Sequence, residues 1–311
     1  MDAVVFGIND FFKTAAPNDY KIVISRFPRY AVGFIRSYYA GLKPGTRLRV
    51  YAVGGDGMIF DCLNGMMGLE NAELAVIPYG HTNNFIKGFG KKAQSLFRNI
   101  ALQYTAKAIP LDVMRSGDVY ALNYGTVGIE SLAVFYANRL HDAMDENKIS
   151  QWFKRRFYTF LYYLGAINVG LNQKILRQKY DITIDGVDFG GDYHSIHIGN
   201  GSWYGEKLHP VESAMPDDGE LDVLVSSAMG LFKILRLIVP YLHGKYHKYP
   251  RVFTLTKGRK IEIRSNAPMY ICFDDIIFMD YRLTVELLPG AVNFVDVTNH
   301  GYLRFTERRD M

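Results

Sequence analysis

A glycine-rich turn, Gly54-Gly55-Asp56-Gly57, limits the folds open to this chain more than any other stretch. The apolar run Leu48-Arg49-Val50-Tyr51-Ala52-Val53 leads into it, and the segment Met58-Ile59-Phe60-Asp61-Cys62-Leu63-Asn64-Gly65 follows with helical character. The glycines therefore stand where a buried strand turns into a helix. Glycine there accepts positive φ and lets a ligand approach the backbone. A helix N-terminus behind it presents unpaired N–H groups and the positive end of its dipole to a phosphate. Asp56 adds a carboxylate suited to Mg²⁺ or to a proton. A tight turn with a purely structural job satisfies the same four residues, since short glycine motifs also occur by chance.

A second segment tips the balance toward a nucleotide-phosphate pocket. Leu74-Ala75-Val76-Ile77 is again a short apolar run, and it ends at the polar loop Pro78-Tyr79-Gly80-His81-Thr82-Asn83-Asn84. Two strand-to-loop units so close in sequence imply adjacent parallel strands joined by a crossover helix. Ligands in such sheets bind at the carboxyl ends of the strands. Both loops lie at those ends, where they can face one pocket.

Two textures divide the chain. In residues 1–115, strand candidates Lys21–Ser25, Leu48–Val53 and Leu74–Ile77 alternate with helix candidates Ala31–Tyr39, Ile59–Met67 and Ala93–Tyr104, an α/β doubly wound pattern. From residue 117 onward come short strands: Tyr120–Tyr124, Tyr180–Ile184, Tyr193–Ile198, Leu221–Val225, Val252–Thr256, Lys260–Ile263 and Met269–Phe273. Asp185-Gly186, with Asp188 behind it, fits a hairpin turn. Arg139–Leu171 and Leu231–His243 read as helical insertions in a mostly antiparallel β domain.

Composition closes off several classes. A chain of 311 residues can build two domains with substantial cores. Apolar content of 49% and charged content of 22% are those of a soluble globular protein. Two cysteines, Cys62 and Cys272, make neither a disulfide framework nor a metal cluster, which suits a reducing cytoplasm. No basic, apolar leader opens the chain, and the longest apolar run, Leu231–Leu242, is broken by Lys233, Arg236 and Pro240. Net charge is +5, but the basic residues are dispersed, 36 Lys+Arg against 31 Asp+Glu, which argues against a nucleic-acid module. Aromatic and basic residues do interleave over Trp152–Tyr158 and Tyr241–Tyr249, a composition suited to the headgroup layer of an anionic membrane. A helix with an aromatic core face and a solvated basic face explains them equally.

With these residues in view, the chain resembles the bacterial diacylglycerol kinase-like lipid kinases, relatives of the sphingosine kinases that share a nucleotide-binding fold with NAD kinases and phosphofructokinases. The family pattern is GGDGT, an acidic residue and NG, then PxGTxNDF. Gly54-Gly55-Asp56-Gly57, Asp61 and Asn64-Gly65 match its first part, and Pro78, Gly80, Asn83 and Phe85 its second. Asp112, Gly199-Asn200-Gly201 with Tyr204-Gly205, Asp217-Asp218-Gly219-Glu220-Leu221-Asp222 and Asp274 follow in family order. Departures are Met58 for the threonine of GGDGT, His81-Thr82 for Thr-Gly, and Asn84 for Asp. Glu206-Lys207 replace two glycines, and Asp275-Ile276 replace the Gly-Glu after the late aspartate. The family opens with a strand and an Asn-Pro-x-Ser-Gly loop, whereas Met1–Ile8 looks like the helix after that strand.

The resemblance implies an NAD kinase/phosphofructokinase-like α/β domain, its first strand missing, over residues 1–116 and rejoined by 292–311. Residues 117–291 would form a mostly antiparallel, β-sandwich-like lipid-substrate domain with helical insertions. It implies transfer of the γ-phosphoryl group of ATP to the hydroxyl of diacylglycerol or a similar lipid, with Mg²⁺. Gly54, Gly55, Gly57, Gly80, His81, Thr82 and Asn83 would bind nucleotide, and Asp56 would hold Mg²⁺ or orient the acceptor. Asp274 would act as general base, a role that partial desolvation at the end of Tyr270-Ile271-Cys272-Phe273 would assist. Asp217 and Asp218 would hold a structural Mg²⁺. The setting implied is the inner face of the cytoplasmic membrane, with an anionic surface and a lipid alcohol as partners and a homodimer as a possible state. Two rivals stay open: a degenerate relative that binds nucleotide or lipid without turnover, and an NAD kinase, which also carries GGDG.

Overall fold

Strands β1 (Leu48–Gly54) and β2 (Ala72–Pro78) run parallel, with Leu48 opposite Ala72 and Gly54 opposite Pro78. They belong to a computed structural model that describes residues 2–80, 83–136, 178–204, 208–274, 276–304 and 307. The chain divides into two units, one comprising Met1–Leu111 and Gly290–Met311, the other Asp112–Pro289.

In the first unit, β2 reads as an almost unbroken apolar run because it is buried throughout; Leu74, Ala75, Val76 and Ile77 are almost wholly inaccessible. Its one charged residue, Glu73, pairs with Arg47 and Arg49 at 2.6 and 2.7 Å. The crossover between the strands is helix α3 (Asp56–Met66), whose Ile59, Phe60, Leu63 and Met66 are buried. Helices α1 (Asp2–Ala15) and α2 (Tyr30–Ala40) precede β1. Gly65 lets α2 lie close on α3, since a Cβ there would stand 3.1 Å from the Val32 Cα. Asp61 fixes the start of α2, accepting the Arg29 backbone N–H at 2.8 Å while Arg29 sits at φ 68°. Asn64 donates to the Phe60 carbonyl at 2.8 Å. The Asp61 and Asn64-Gly65 matches to the family pattern thus serve helix packing.

Two expectations in this unit fail. Lys21–Ser25 is not a strand; Ile22, Val23 and Ile24 are 37%, 37% and 60% exposed, so the run lacks the burial that makes an apolar strand pay its ordering entropy. Ala93–Tyr104 is not one helix but two, α4 (Ala93–Phe97) and α5 (Ile100–Thr105). The break is Asn99, whose side chain accepts the Ala101 and Leu102 N–H groups at 3.1 and 3.2 Å and caps α5.

The last segment returns to this unit through strand β12 (Ile276–Val295), whose Asn293 and Phe294 pair in parallel with Glu73 and Leu74. Phe294 stacks on Phe89 at 5.4 Å between centroids, and Phe85, Phe97 and Tyr302 close the aromatic knot around them.

The second unit is antiparallel. Its strands are the end of β3 (Ala108–Ser116), β4 (Val119–Ala121), β5 (Tyr124–Gly128), β6 (Gln178–Ile184), β7 (Val187–Asp188), β8 (Gly191–Gly199), β9 (Leu221–Ser227), β10 (Phe253–Gly258), β11 (Lys260–Phe273) and most of β12. Two strands change partner along their length. β8 pairs with β6 at Tyr193 and with β5 from Ser195, across a register shift. β11 pairs with β6 over Ile261–Arg264 and with β5 over Ile271–Phe273. Bulges that turn strands from one sheet to another are how a sandwich makes its corners. The two expected strands Lys260–Ile263 and Met269–Phe273 are therefore one strand, bulged between Arg264 and Met269. Asp185 (φ 48°) and Gly186 (φ 81°) form the expected hairpin turn between β6 and β7. The expected strand Tyr120–Tyr124 is split between β4 and β5, because Leu122 and Asn123 give their N–H groups to Asp274 instead of a ladder.

Helix α6 (Leu231–Leu242) lays Leu237, Tyr241 and Leu242 into a core with Leu224 and Phe253. The other expected helical insertion, Arg139–Leu171, and the Trp152–Tyr158 stretch lie outside the described residues. Among the described residues, no helix is long and apolar enough to cross a membrane.

Candidate nucleotide site and the acidic loops

The end of β1 and the end of β2 meet through backbone. The Gly54 carbonyl accepts the N–H groups of Tyr79 at 2.9 Å and Gly80 at 2.8 Å. A Cβ on Gly80 would lie 2.0 Å from the Gly55 Cα and 2.7 Å from its nitrogen, so any side chain there would force the backbone to shift. Gly55 is the N-cap of α3, in extended conformation, and its carbonyl accepts the first-turn N–H groups of Met58 and Ile59. Gly55 and Gly57 place no side chain on either side of Asp56 at the start of α3, which leaves room for an oxyanion to approach the Gly57 N–H beside that carboxylate. Met58, at the family's threonine position, packs its side chain toward Gly54.

The loop after β2 folds over this helix start. Asp56 Oδ2 accepts the Asn84 backbone N–H at 3.0 Å. Asn83 takes φ 46°, donates from Nδ2 to the Gly80 carbonyl at 2.9 Å, and is 1% exposed. Its Oδ1 is buried without a hydrogen-bond partner. That absence holds among the described residues, and a buried acceptor left unmade costs about 1–3 kcal/mol. Of the residues expected to bind nucleotide, Gly54, Gly55, Asp56, Gly57, Gly80 and Asn83 come together here; His81 and Thr82 lie outside the described residues.

Two cations join this loop; the sequence suggests solvated helix residues at Lys87 and Arg98, with Lys87 close enough to the loop to meet phosphate. Arg98 donates to the Pro78 carbonyl at 2.8 Å and lies over the Tyr79 ring at 5.1 Å. Lys87 Nζ reaches Asn84 Oδ1 at 3.2 Å. Lys87 follows the loop by three residues and Arg98 by fourteen, and nothing in the sequence tells which way they point.

In the second unit the family-matched residues knot loops together. Asp112 Oδ2 accepts the Gly219 N–H at 2.8 Å, and its backbone N–H donates to the Pro216 carbonyl at 2.6 Å. Asn200 Nδ2 donates to the carbonyls of Asp112 at 2.9 Å and Leu122 at 2.7 Å. The Asn123 carbonyl accepts from the Asn200 and Gly201 N–H groups at 2.9 and 2.7 Å.

Asp274 belongs to the same knot. It takes φ 47° and turns its carboxylate onto three successive backbone N–H groups. Oδ2 accepts from Leu122 at 2.6 Å, and Oδ1 from Asn123 at 3.1 Å and Tyr124 at 2.8 Å. A general base must offer a lone pair to the substrate proton. Three backbone N–H groups take up most of that capacity, so Asp274 clamps the turn at residues 122–124.

The acidic loop holds a cation of its own. Lys257 Nζ lies 2.8 Å from Asp218, 3.2 Å from Glu220 and 3.6 Å from Asp222. Partial burial works against the ammonium charge, but Asp218, Asp222 and Glu220 outweigh it and hold Lys257 above its ordinary range. Burial pushes the Asp222 carboxyl up, with Ser213 and Lys257 opposing. Asp217 is exposed. The charge expected from a Mg²⁺ on Asp217 and Asp218 is supplied to Asp218 by an ammonium, and a metal ion there would have to displace it. Among the described residues, no three His, Cys, Asp or Glu side chains are grouped to hold a metal ion.

A buried polar group was not foreseen at all. Glu130, 4% exposed, accepts from Ser195 Oγ at 2.6 Å and from the Tyr241 hydroxyl, and pairs with His197 Nδ1 at 3.0 Å. Burial raises its carboxyl, but His197, Ser195 and Tyr241 together bring it below the usual range. Its members are far apart in sequence, and no spacing announces them.

Comparison with known proteins agrees with these two units. The diacylglycerol kinase catalytic domain family matches residues 12–115, and the YegS C-terminal NAD kinase beta sandwich-like domain matches residues 141–296. The chain belongs to the diacylglycerol kinase-like lipid kinase family. A relative from Staphylococcus carnosus named "Putative lipid kinase" is 27% identical over 254 residues, 79% of this chain and 77% of that protein. One of the same name from Staphylococcus epidermidis is 24% identical over 251 residues, 80% and 76% of the two chains. In fold, the chain is similar to a crystal structure described as a diacylglycerol kinase from Bacillus anthracis, with TM-score 0.67 and 20% identity over 94% of this chain and 91% of that one.

Proposed function

We propose that this chain binds ATP at the start of α3 and transfers its γ-phosphoryl group to the hydroxyl of diacylglycerol or a similar membrane lipid. The observation that carries the reading is the contact of Gly80 on Gly55, which holds two phosphate-facing loops together where any side chain would fill the space. Phosphoryl transfer asks chiefly for positioning and electrostatic stabilisation. The Gly57 N–H, ahead of the Met58 and Ile59 groups that the Gly55 carbonyl takes, supplies a donor to a phosphate oxygen. Asn83 Oδ1 supplies an acceptor awaiting a donor. Asp56, at the head of the helix, is the carboxylate that would meet Mg²⁺ arriving with ATP, an ion that neutralises developing charge on the phosphates. The acceptor oxygen attacks the γ-phosphorus, the bond to the bridging oxygen breaks, ADP leaves, and the hydroxyl proton is released to solvent. A lipid acceptor puts the protein at a membrane face, and the inner face of the cytoplasmic membrane is where ATP is at hand.

The employment of Asp274 in a backbone clamp favours a second reading, in which the chain binds nucleotide or lipid without turnover. Labelled ATP with mixed micelles of diacylglycerol separates the two. Labelled phosphatidic acid from the wild-type chain, lost in Asp56→Ala, supports the kinase. ATP binding with no labelled lipid product supports the binder.

A further inference from the structure

We propose that α6 docks this protein on an anionic membrane, with Phe232, Leu235 and Val239 as the inserting stripe and the cations beside them as headgroup contacts. The helix is apolar on two opposite faces. At ~100° per residue, Leu237 and Tyr241 point about 140° and 180° away from Phe232, while Leu235 and Val239 lie within about 60° of it. The first pair is buried in the unit's core. The outward three are 91%, 49% and 52% exposed. A helix apolar all round is ordinarily covered all round.

Charge identifies what covers it. Residues 231–251 contain Lys233, Arg236, Lys245, Lys248 and Arg251 and no acidic residue. All five are exposed, and none is in an ion pair among the described residues. Lys233 and Arg236 fall about 100° and 40° from Phe232, on one flank of the stripe. Exposed apolar side chains rimmed by unpaired cations match the acyl boundary and anionic headgroups of a bilayer. A second copy of this face would set five cations against five with no acid between them.

The inference takes from the proposed function only that the acceptor is a membrane lipid. It is tested without nucleotide, so its outcome and that of the kinase assay are independent. The full chain is sedimented with vesicles of phosphatidylcholine alone and with vesicles carrying phosphatidylglycerol. The variants are Phe232→Ala/Leu235→Ala and Lys233→Gln/Arg236→Gln; all four side chains are exposed, and unchanged melting temperatures show that the fold is kept. The wild type should bind the anionic vesicles preferentially. The charge variant should bind about 30-fold more weakly, and the apolar variant about tenfold more weakly. Equal binding to both vesicle types, or wild-type binding by both variants, overturns the proposal. So does a dimer in sedimentation equilibrium that the apolar variant dissolves while vesicle binding is absent.

Discussion

Gly80 approaches Gly55 so closely that a Cβ at position 80 would stand 2.0 Å from the Gly55 Cα. The loops after two parallel strands are thereby locked at the helix start where phosphate is expected. Gly80→Ala must push the loops apart, an overpacking that costs about 1–3 kcal/mol. ATP affinity should fall at least tenfold by calorimetry, with a smaller drop in melting temperature. Wild-type affinity would show that the loops open without consequence for the ligand.

Asp274 clamps Leu122, Asn123 and Tyr124, and its role can be read from stability. Asp274→Ala leaves three donors without their acceptor and should destabilise the fold by about 3 kcal/mol. Asp274→Asn keeps one acceptor oxygen and should lose less. The order of the two variants in denaturant melts is the check. A residue acting only as a base would leave both melts where the wild type lies and abolish turnover instead.

Lys257 sits among Asp218, Glu220 and Asp222 as their cation. The melting temperature of the wild type should therefore be the same in EDTA and in millimolar Mg²⁺. Lys257→Met strands three carboxylates, one of them on the buried Asp222, and a divalent ion then has a vacancy to fill. That variant should melt lower in EDTA and recover with Mg²⁺. A wild type stabilised by Mg²⁺ to the same extent would return the loop to metal binding.

What the sequence displayed well was local. The apolar runs ending in Gly54 and Pro78 specify parallel strands and a crossover helix because the apolar segments and the turn chemistry are both written in neighbouring residues. Lys21–Ser25 misled because an apolar run shows capacity for burial and not the presence of a neighbouring strand. The clamp at Asp274 is invisible for a related reason: a carboxylate at a strand end has one appearance in sequence, whether it faces substrate or the backbone of residues 122–124. Lys257 and the acids it holds are 35 or more residues apart, as are Glu130 and its partners Ser195, His197 and Tyr241. Only the folding of β8, β9 and β10 onto one another, with the Leu231–Leu242 helix packed against them, brings such groups together.

Glu130 gives the sharpest dependence on pH. Burial alone would raise its carboxyl, yet His197, Ser195 and Tyr241 hold it below the usual range. A folded-state value below the unfolded one, about 4.3, means that the group adds stability above that pH. This stability drains away as pH falls through the lower folded value. Glu130→Gln removes the charge and leaves its buried partners mispaired, a loss of about 3–5 kcal/mol at pH 7. As the wild-type carboxyl protonates it comes to resemble the amide, so the gap between the two proteins should narrow from pH 5 downward. Urea melts from pH 7 to pH 3 measure that gap directly. A gap that stays constant across the range would mean that Glu130 is already protonated in the fold, with the cluster held by neutral hydrogen bonds alone.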